Sequence, residues 1–545
     1  MGIKRYTADK DTTITNAFKP NLSTRGTGSN MGASDIMEVF SIYGQTILSG
    51  TTTGVAQTQE LSRALVQFPI TSIVTDRTNG DIPASGSVDF YLRVFNAKQS
   101  QTTPKNAKYV IVPVSASWEE GYGMDMDDYT DLTKDNFGAN WINRSGSTAW
   151  TTMGGTYLSA SEKTQTLVNG TEDIELDISD IVEKWITGWP AGGYNNYGLG
   201  IHLTASQEAY FSSSAGANSG SSIQNPSGST RSFYTKKFFA HTSQFFFKRP
   251  TLEARWDTTK KDDRGKTFYS SSLLAAGDNL STLYLYNYVN GQLKNIPVIT
   301  SPSDSIFVEL YSGSAANTVP SGSALDLVST TTYVGSTAPT VVTGGYVSTG
   351  IYSASFALTA AATPLTTAYD VWSLDDGSGA SEGQPGTQVH TGSFSPTVFK
   401  SSQSAVESNY VFNVTNLKDS YLSNETTRFK VFIRQKDWNP SIYTVANADP
   451  QNFVLDDVYF RVMRVVDGLE AVAFGTGSNT SPQSVGSAGS YTRLSYDVSG
   501  SYFNLDMSLL EPGYSYEMQF VYFNNNNYTN VKDTFKFRVE EDLDG

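Results

Sequence analysis

One short loop of this 545-residue chain carries a group of aspartates whose oxygens suit a hard metal ion. The loop reads GMDMDDYTDLTKDNFG, and the aspartates are Asp125, Asp127, Asp128, Asp131 and Asp135. Calcium prefers carboxylate and carbonyl oxygens, so such a loop is typical of a calcium site. It is not an EF-hand, because Tyr129 occupies the fifth ligand position and no glycine follows. We therefore expect bound calcium and no other cofactor, with a solvated acidic loop that protects a sheet edge as the alternative.

A glycine-rich turn holds three aromatic residues that are able to stack on a sugar. The turn reads GWPAGGYNNYG and contains Trp189, Tyr194 and Tyr197. Aromatic rings cover the apolar face of a ligand, while their polar atoms hydrogen-bond its hydroxyl groups. These three residues are the predicted glycan-binding site. The alternative is that the rings only pack against their own fold.

A second aromatic segment carries positive charge, although the whole chain has a net charge of −15. The segment reads RSFYTKKFFAHTSQFFFKRP and spans residues 231–250. Aromatic and arginine side chains are favoured in interfaces, so the segment predicts contact with an acidic partner subunit. The predicted interface residues are Arg231, Lys236, Lys237, Phe238, Phe239, Lys248 and Arg249. The alternative is a set of strands whose phenylalanines lie in the core.

The residue types that support most enzymatic chemistry occur without the required spacing. His202, His241 and His390 are far apart with no HExxH pattern, so neither a zinc site nor a Ser–His pair is predicted. There is no cysteine, no phosphate-binding glycine loop and no dinucleotide fingerprint. A carboxylate pair for glycoside hydrolysis depends on geometry rather than spacing, so a polysaccharide-degrading enzyme stays open as an alternative. We expect a protein that is not an enzyme.

The aromatic turn follows the clearest helix in the sequence, which lies within 176–203. Ser179 is the predicted N-cap of this helix, and Gly188 and Pro190 end it. A helix this short is stable only when it packs on a sheet edge or the end of a barrel. Its apolar residues have helical spacing, at Ile181, Val182, Trp185 and Ile186.

The composition favours an all-β protein, with 31 Tyr, 29 Phe and 46 Gly. The negative net charge argues against a nucleic-acid partner. No segment suits a membrane span or a signal peptide, so we expect cytoplasmic synthesis and no membrane insertion. Strands are predicted in the first half at 36–43, 62–70, 88–95, 108–114, 173–178, 198–203 and 245–256.

Several segments resemble DNRLRE-type domains, which are jelly-roll modules related to carbohydrate-binding modules of bacterial surface and secreted proteins. The resemblance covers less than half of the chain, and its parts occur in the family's order. This chain differs from the family pattern in two places. It has an insertion at roughly 125–170, and it has the aromatic-basic segment before the last strand. The matching segments are ADKDTTI at 8–14, RALVQF at 63–68, WEEG at 118–121, the stretch from Asp177 to Leu199, and PTLEA at 250–254.

The charged segment KKDDRGK after Trp256 predicts a domain boundary. We expect an N-terminal jelly-roll sandwich at 1–258, related to the DNRLRE type, followed by two immunoglobulin-like β-sandwich domains. The latter are an immunoglobulin-like domain at 259–400 and a C-terminal β-sandwich at 401–545, since short strands alternate there with Gly, Ser and Thr loops.

The whole chain also resembles virion structural proteins of tailed bacteriophages, in particular marine ones. The segments that carry this resemblance are ANWINRSGSTAW, SFYTKKFFAHTSQFFFKRPTLEARWD and EPGYSYEMQF. It implies a virion location in capsid, neck or tail and a role in assembly or adhesion. The implied partners are other virion proteins and further copies of the chain. The main alternative is an adhesin that binds host-surface polysaccharide.

Overall fold

The structure is a computed structural model, and the residues that it describes are 2–19, 24–43, 59–99, 103–124, 137–211, 222–301, 303–313, 319–328, 340–361, 363–375, 385–399, 409–436, 442, 453–475, 490–524 and 527–542. The all-β class is confirmed, with 48% strand and 8% helix. The chain forms two compact units. The first consists of Met1–Thr258 and Ala473–Thr492, and the second of Thr259–Val472 and Arg493–Gly545. The division predicted at residue 400 stays a prediction.

The first unit is built mainly from antiparallel strands. Its described strands are Gly2–Thr7 (β1), Lys10–Thr15 (β2), Ile36–Tyr43 (β3), Gln59–Gln67 (β4), Asp89–Val94 (β5), Ala107–Pro113 (β6), Asn143–Ser145 (β7), Thr148–Ala149 (β8), Lys163–Leu167 (β9), Ile174–Asp177 (β10), Leu199–Leu203 (β11), Phe233–Phe239 (β12) and Thr251–Trp256 (β13).

Two sheets of the first unit enclose its main core, as expected for a jelly-roll sandwich. The smaller sheet has the order β1-β13-β5-β10. The larger has the order β12-β3-β4-β11-β6-β9, with β2 also paired to β4. Alternate residues of each strand point inward. The core therefore combines Phe90, Leu92 and Leu252 of the smaller sheet with Val66 and Tyr109 of the larger one.

The predicted helix is present as α2, Ser179–Thr187, and it buries Ile181, Val182 and Trp185 in the core. The cap prediction was wrong, because Ile178 is the N-cap and Ser179 already lies in the first turn. The Ser179 hydroxyl instead donates to Asp177 at 2.6 Å and accepts from the Phe90 amide. Among the described residues, no helix is long and apolar enough to cross a membrane.

A second helix, α1 at Ile70–Asn79, was not predicted. It begins after Pro69 and ends at Gly80, whose φ of 80° is left-handed. Arg77 near its end donates to both carboxylate oxygens of Glu183 in α2, at 2.8 and 2.6 Å. The two helices therefore lie together in the first unit.

The outer face of the larger sheet is also buried. Trp141 and Trp150 of the predicted insertion pack there with Leu65 of β4. Arg63 of the same strand donates to both oxygens of Glu208, at 3.0 and 2.9 Å, and to the Gly154 carbonyl. The described end of the insertion is therefore a cover for the sheet.

The outer face of the smaller sheet carries a buried ionic cluster. Arg255 donates to Glu253 at 2.9 and 2.6 Å and lies 2.7 Å from Glu175. Arg93 approaches Glu253 to 3.2 Å. Tyr491, from the second segment of this unit, lies over the Arg255 guanidinium at 5.1 Å.

The described strands of the second unit are Phe268–Tyr269 (β14), Ser281–Tyr286 (β15), Tyr288–Val289 (β16), Gln292–Leu293 (β17), Ser305–Gly313 (β18), Pro320–Ser321 (β19), Val341–Ser348 (β20), Ile351–Phe356 (β21), Ala368–Asp375 (β22), Pro385–Phe394 (β23), Thr397–Val398 (β24), Tyr410–Val414 (β25), Ser420–Leu422 (β26), Thr426–Gln435 (β27), Val458–Arg464 (β28), Glu470–Val472 (β29), Ser495–Asp497 (β30), Gly500–Asp506 (β31), Ser515–Asn524 (β32), Asn527–Asn530 (β33) and Phe535–Glu540 (β34).

These strands form three principal sheets. One has the order β15-β21-β20-β18-β22-β23 and buries Trp372 and Tyr352 in its core. Two more, β25-β27-β31-β30 and β26-β34-β32-β28-β29, share an aromatic core. In that core the rings of Phe460 and Phe503 stack with centroids 4.0 Å apart.

His202 of β11 gives the first unit a pH dependence. Its Nδ1 donates to the Leu203 carbonyl, and Glu208 lies 4.0 Å away. Burial, together with the charge of Arg63, lowers the pKa of His202 to about 4. The unfolded chain takes up this proton near the ordinary pKa of about 6.5. Stability is therefore lost as the pH falls from that value toward 4.

We expect His202→Gln to remove this loss, because glutamine stays neutral throughout the window. Between pH 7 and 4.5 the wild-type chain should lose about 2 kcal/mol more unfolding free energy than the variant. Urea unfolding at both pH values measures the difference. His390→Gln, at a more exposed position of β23, is the comparison variant: burial also lowers the pKa of His390, but less than that of His202, so this variant should remove a smaller part of the loss. Parallel curves for the wild type and His202→Gln would contradict the assignment.

Candidate functional site

The turn after α2 forms one wall of an open pocket of about 390 Å³. All three aromatic residues of the predicted glycan site line it, namely Trp189, Tyr194 and Tyr197. Val114 and Leu158 add apolar surface from the larger sheet and its connection. The pocket therefore has the size and the mainly apolar lining of a small-molecule site.

The turn keeps its shape because it folds back onto the end of α2. The amides of Gly188 and Tyr194 both donate to the Lys184 carbonyl, at 3.0 and 2.9 Å. A Cβ atom at Gly193 would lie 2.1 Å from the same oxygen, so this position requires glycine. The helix end thus fixes the positions from which the aromatic side chains extend.

The Tyr194 ring is held through its hydroxyl, the Tyr197 ring packs against the core cluster that contains Trp118, and the third ring is open to solvent. The Tyr194 hydroxyl lies 3.0 Å from Ser161 Oγ and accepts from Lys184 Nζ at 3.1 Å, and these hydrogen bonds lower the pKa of Tyr194. The Tyr197 carbonyl accepts from the Trp118 indole at 2.7 Å. Trp189 is 73% exposed. An exposed ring beside two fixed rings is suited to stack on a sugar.

A second pocket of about 400 Å³ shares Asn195 and Tyr197 with the first. Its other lining residues include Asp9, Gln67 and Thr71, so it is richer in polar groups. Burial raises the pKa of Asp9. Of the described residues that line the two pockets, Asp9 is the one carboxylate. The pockets therefore offer an apolar platform next to hydrogen-bonding groups, without a described carboxylate pair.

The aromatic-basic segment is divided between core and surface. Lys236 and Phe238 are fully buried, so the prediction that they contact a partner subunit was wrong. Residues 245–248 are not strand as predicted, because Phe246–Lys248 is a short 3-10 helix. Phe245 and Phe246 are exposed. The interface role of the remaining residues stays a prediction, and these are Arg231, Lys237, Phe239, Lys248 and Arg249.

Lys236 is buried because its ammonium group has a complete set of acceptors. Its Nζ donates to Asn96 Oδ1 at 2.6 Å, to the Glu172 carbonyl at 2.9 Å and to the Gly170 carbonyl at 3.0 Å. Burial lowers the pKa of Lys236 to about 8. The neighbouring Lys237 instead forms a partly exposed ion pair with Glu38 at 2.8 Å.

The two lysines should respond differently to charge reversal. Lys236→Glu is expected to destabilise the first unit by about 4 kcal/mol, since a carboxylate would face three acceptors without a donor. Lys237→Glu loses one surface ion pair and should cost about 1 kcal/mol. Thermal unfolding of the two single variants measures the difference. Equal melting temperatures would contradict the buried position of Lys236.

One histidine lies in a cluster that the sequence did not reveal. His241, in the turn after β12, faces Asp11 of β2 and Glu120. Its Nδ1 is 3.3 Å from Asp11 Oδ1 and 3.4 Å from Glu120 Oε1. These are donor types that could hold a metal ion. Residues from three distant segments leave no spacing pattern in the sequence.

The predicted calcium loop falls outside the described residues. Asp125, Asp127, Asp128, Asp131 and Asp135 all lie in the range 125–136. Calcium binding there stays a prediction.

No protein-family model matches this chain, and no curated protein matches it significantly.

Proposed function

We propose that this chain is a non-enzymatic structural protein that adheres to a surface glycan through its first unit. The observation that carries the proposal is the convergence of Trp189, Tyr194 and Tyr197 on one pocket. A sugar has an apolar face and a rim of hydroxyl groups. The exposed Trp189 ring matches the face, and the polar groups of the adjoining pocket match the rim.

Trp189→Ala should weaken glycan binding without unfolding the protein. Because the indole is largely exposed, its removal leaves no buried cavity, while the stacking surface is lost. Affinity is expected to fall about tenfold. A glycan array identifies the ligand, and isothermal titration measures the affinity of both proteins for it.

The matched control is Tyr288→Ala, which removes another exposed aromatic ring, on β16 of the second unit. It should bind as the wild type does. The proposal fails if no glycan on the array binds, or if the Tyr288 variant is weakened to the same degree.

We further propose that the protein belongs to the virion of a tailed bacteriophage, present in many copies. The support is the sequence resemblance together with an all-β chain of several sheets. Antibodies raised against the purified protein should label tailed particles at a repeated position in electron micrographs of a phage culture that encodes this sequence. Label found only on the host envelope would contradict a virion location.

A further inference from the structure

The strongest unassigned feature is the cluster of Asp11, Glu120 and His241, none of which lines either pocket. Asp11 is fully buried, whereas Glu120 and His241 are partly exposed. Among the described atoms, Asp11 Oδ1 and His241 Nδ1 lie 3.3 Å apart, and neither makes a hydrogen bond of good geometry. A buried carboxylate oxygen without a hydrogen bond costs free energy of folding, and a bound ion would remove that cost.

The side chains are aimed at one another by hydrogen bonds from the backbone. The amide of His241 donates to Asp11 Oδ2 at 2.6 Å, which leaves Oδ1 directed at the imidazole. The amide of Asp11 donates to Glu120 Oε1 at 2.8 Å, and this oxygen also faces His241. Supporting hydrogen bonds of this kind orient ligands in metal sites.

The two separations from the imidazole nitrogen fit a small divalent ion, and the three donor atoms all lie within 4.8 Å of one another. Two ligands of a tetrahedral zinc ion, each about 2.1 Å from the metal, lie roughly 3.4 Å apart. The imidazole nitrogen lies 3.3 Å from one carboxylate oxygen and 3.4 Å from the other. A histidine nitrogen is typical of zinc sites, whereas calcium and magnesium take oxygen ligands.

We propose that Asp11, Glu120 and His241 bind a zinc ion. Two carboxylates and a neutral imidazole carry two negative charges, which the ion neutralises. Water completes the coordination, because Glu120 and His241 reach the solvent. The competing explanation is an ion pair in which a protonated His241 faces both carboxylates without a metal.

The direct test measures zinc in the purified full-length chain. The chain is stripped with EDTA, incubated with zinc, desalted and analysed by mass spectrometry for metal content. One zinc ion per chain is expected. His241→Ala should lose it or bind it at least about tenfold more weakly. His390→Ala, which removes an exposed histidine outside the cluster, should retain it.

A second measurement separates metal binding from folding. Zinc should raise the melting temperature of the stripped wild-type chain, because an ion that binds only the native state stabilises it. Glu120→Gln, at a partly exposed position, should fold as judged by circular dichroism in EDTA but lose the zinc-dependent shift. If His241→Ala fails to fold, Glu120→Gln alone tests whether the cluster binds the ion.

Two results would overturn the zinc site. Absence of both retained zinc and a thermal shift in the wild type would establish the metal-free ion pair. Equal zinc content in the wild type, Glu120→Gln and His241→Ala would show that the ion binds elsewhere. Neither result depends on glycan binding, so the two proposals fail separately.

Discussion

Charges that are withdrawn from water need partners of opposite charge, and the first unit depends on this at the outer face of its smaller sheet. Burial alone would raise the pKa of Glu253, but the charges of Arg93, Arg255 and Arg5 outweigh it and hold that pKa well below its usual range. Tyr491 covers Arg255, and it comes from the distant segment Ala473–Thr492. Residues 1–258 alone therefore lack part of the first unit, namely the segment that covers this ionic cluster. Uncovering or breaking a buried ion pair is destabilising.

The elements that the sequence predicted are those in which apolar residues repeat with a clear helical or strand spacing. Helix α2 was found because Ile181, Val182 and Trp185 repeat at helical spacing and Gly188 ends the helix. Helix α1 was missed because its sequence, ITSIVTDRTN, is rich in β-branched residues that favour strands. Its flanking Pro69 and Gly80 were the available signal. Packing against the sheets and the ion pair from Arg77 to Glu183 stabilise a helix that propensity alone disfavours.

The site was predictable only where its residues are close in sequence. Trp189, Tyr194 and Tyr197 share one turn, so their spacing already indicated a common surface. Lys236 was misplaced because a shift in register between Phe233 and Lys236 in β12 turns both side chains inward. The shift arises from the pairing of β12 with β3, so it could not be predicted from the sequence of β12. The cluster around His241 needs three segments that only the tertiary fold brings together.

The two candidate sites use the same structural supports. Asp9 lines the polar pocket, and Asp11, two residues later, belongs to the metal cluster. Between them, Lys10 lies over the Trp118 ring at 4.3 Å, and the Trp118 indole holds the Tyr197 carbonyl. An ion bound to Asp11 and Glu120 would therefore fix the start of β2 and the turn that carries Trp118. The start of β2 and the Trp118 turn both support the pocket. The ion would therefore make the pocket more rigid before a sugar binds, so that less conformational freedom is lost on binding. It would do so without contacting the sugar.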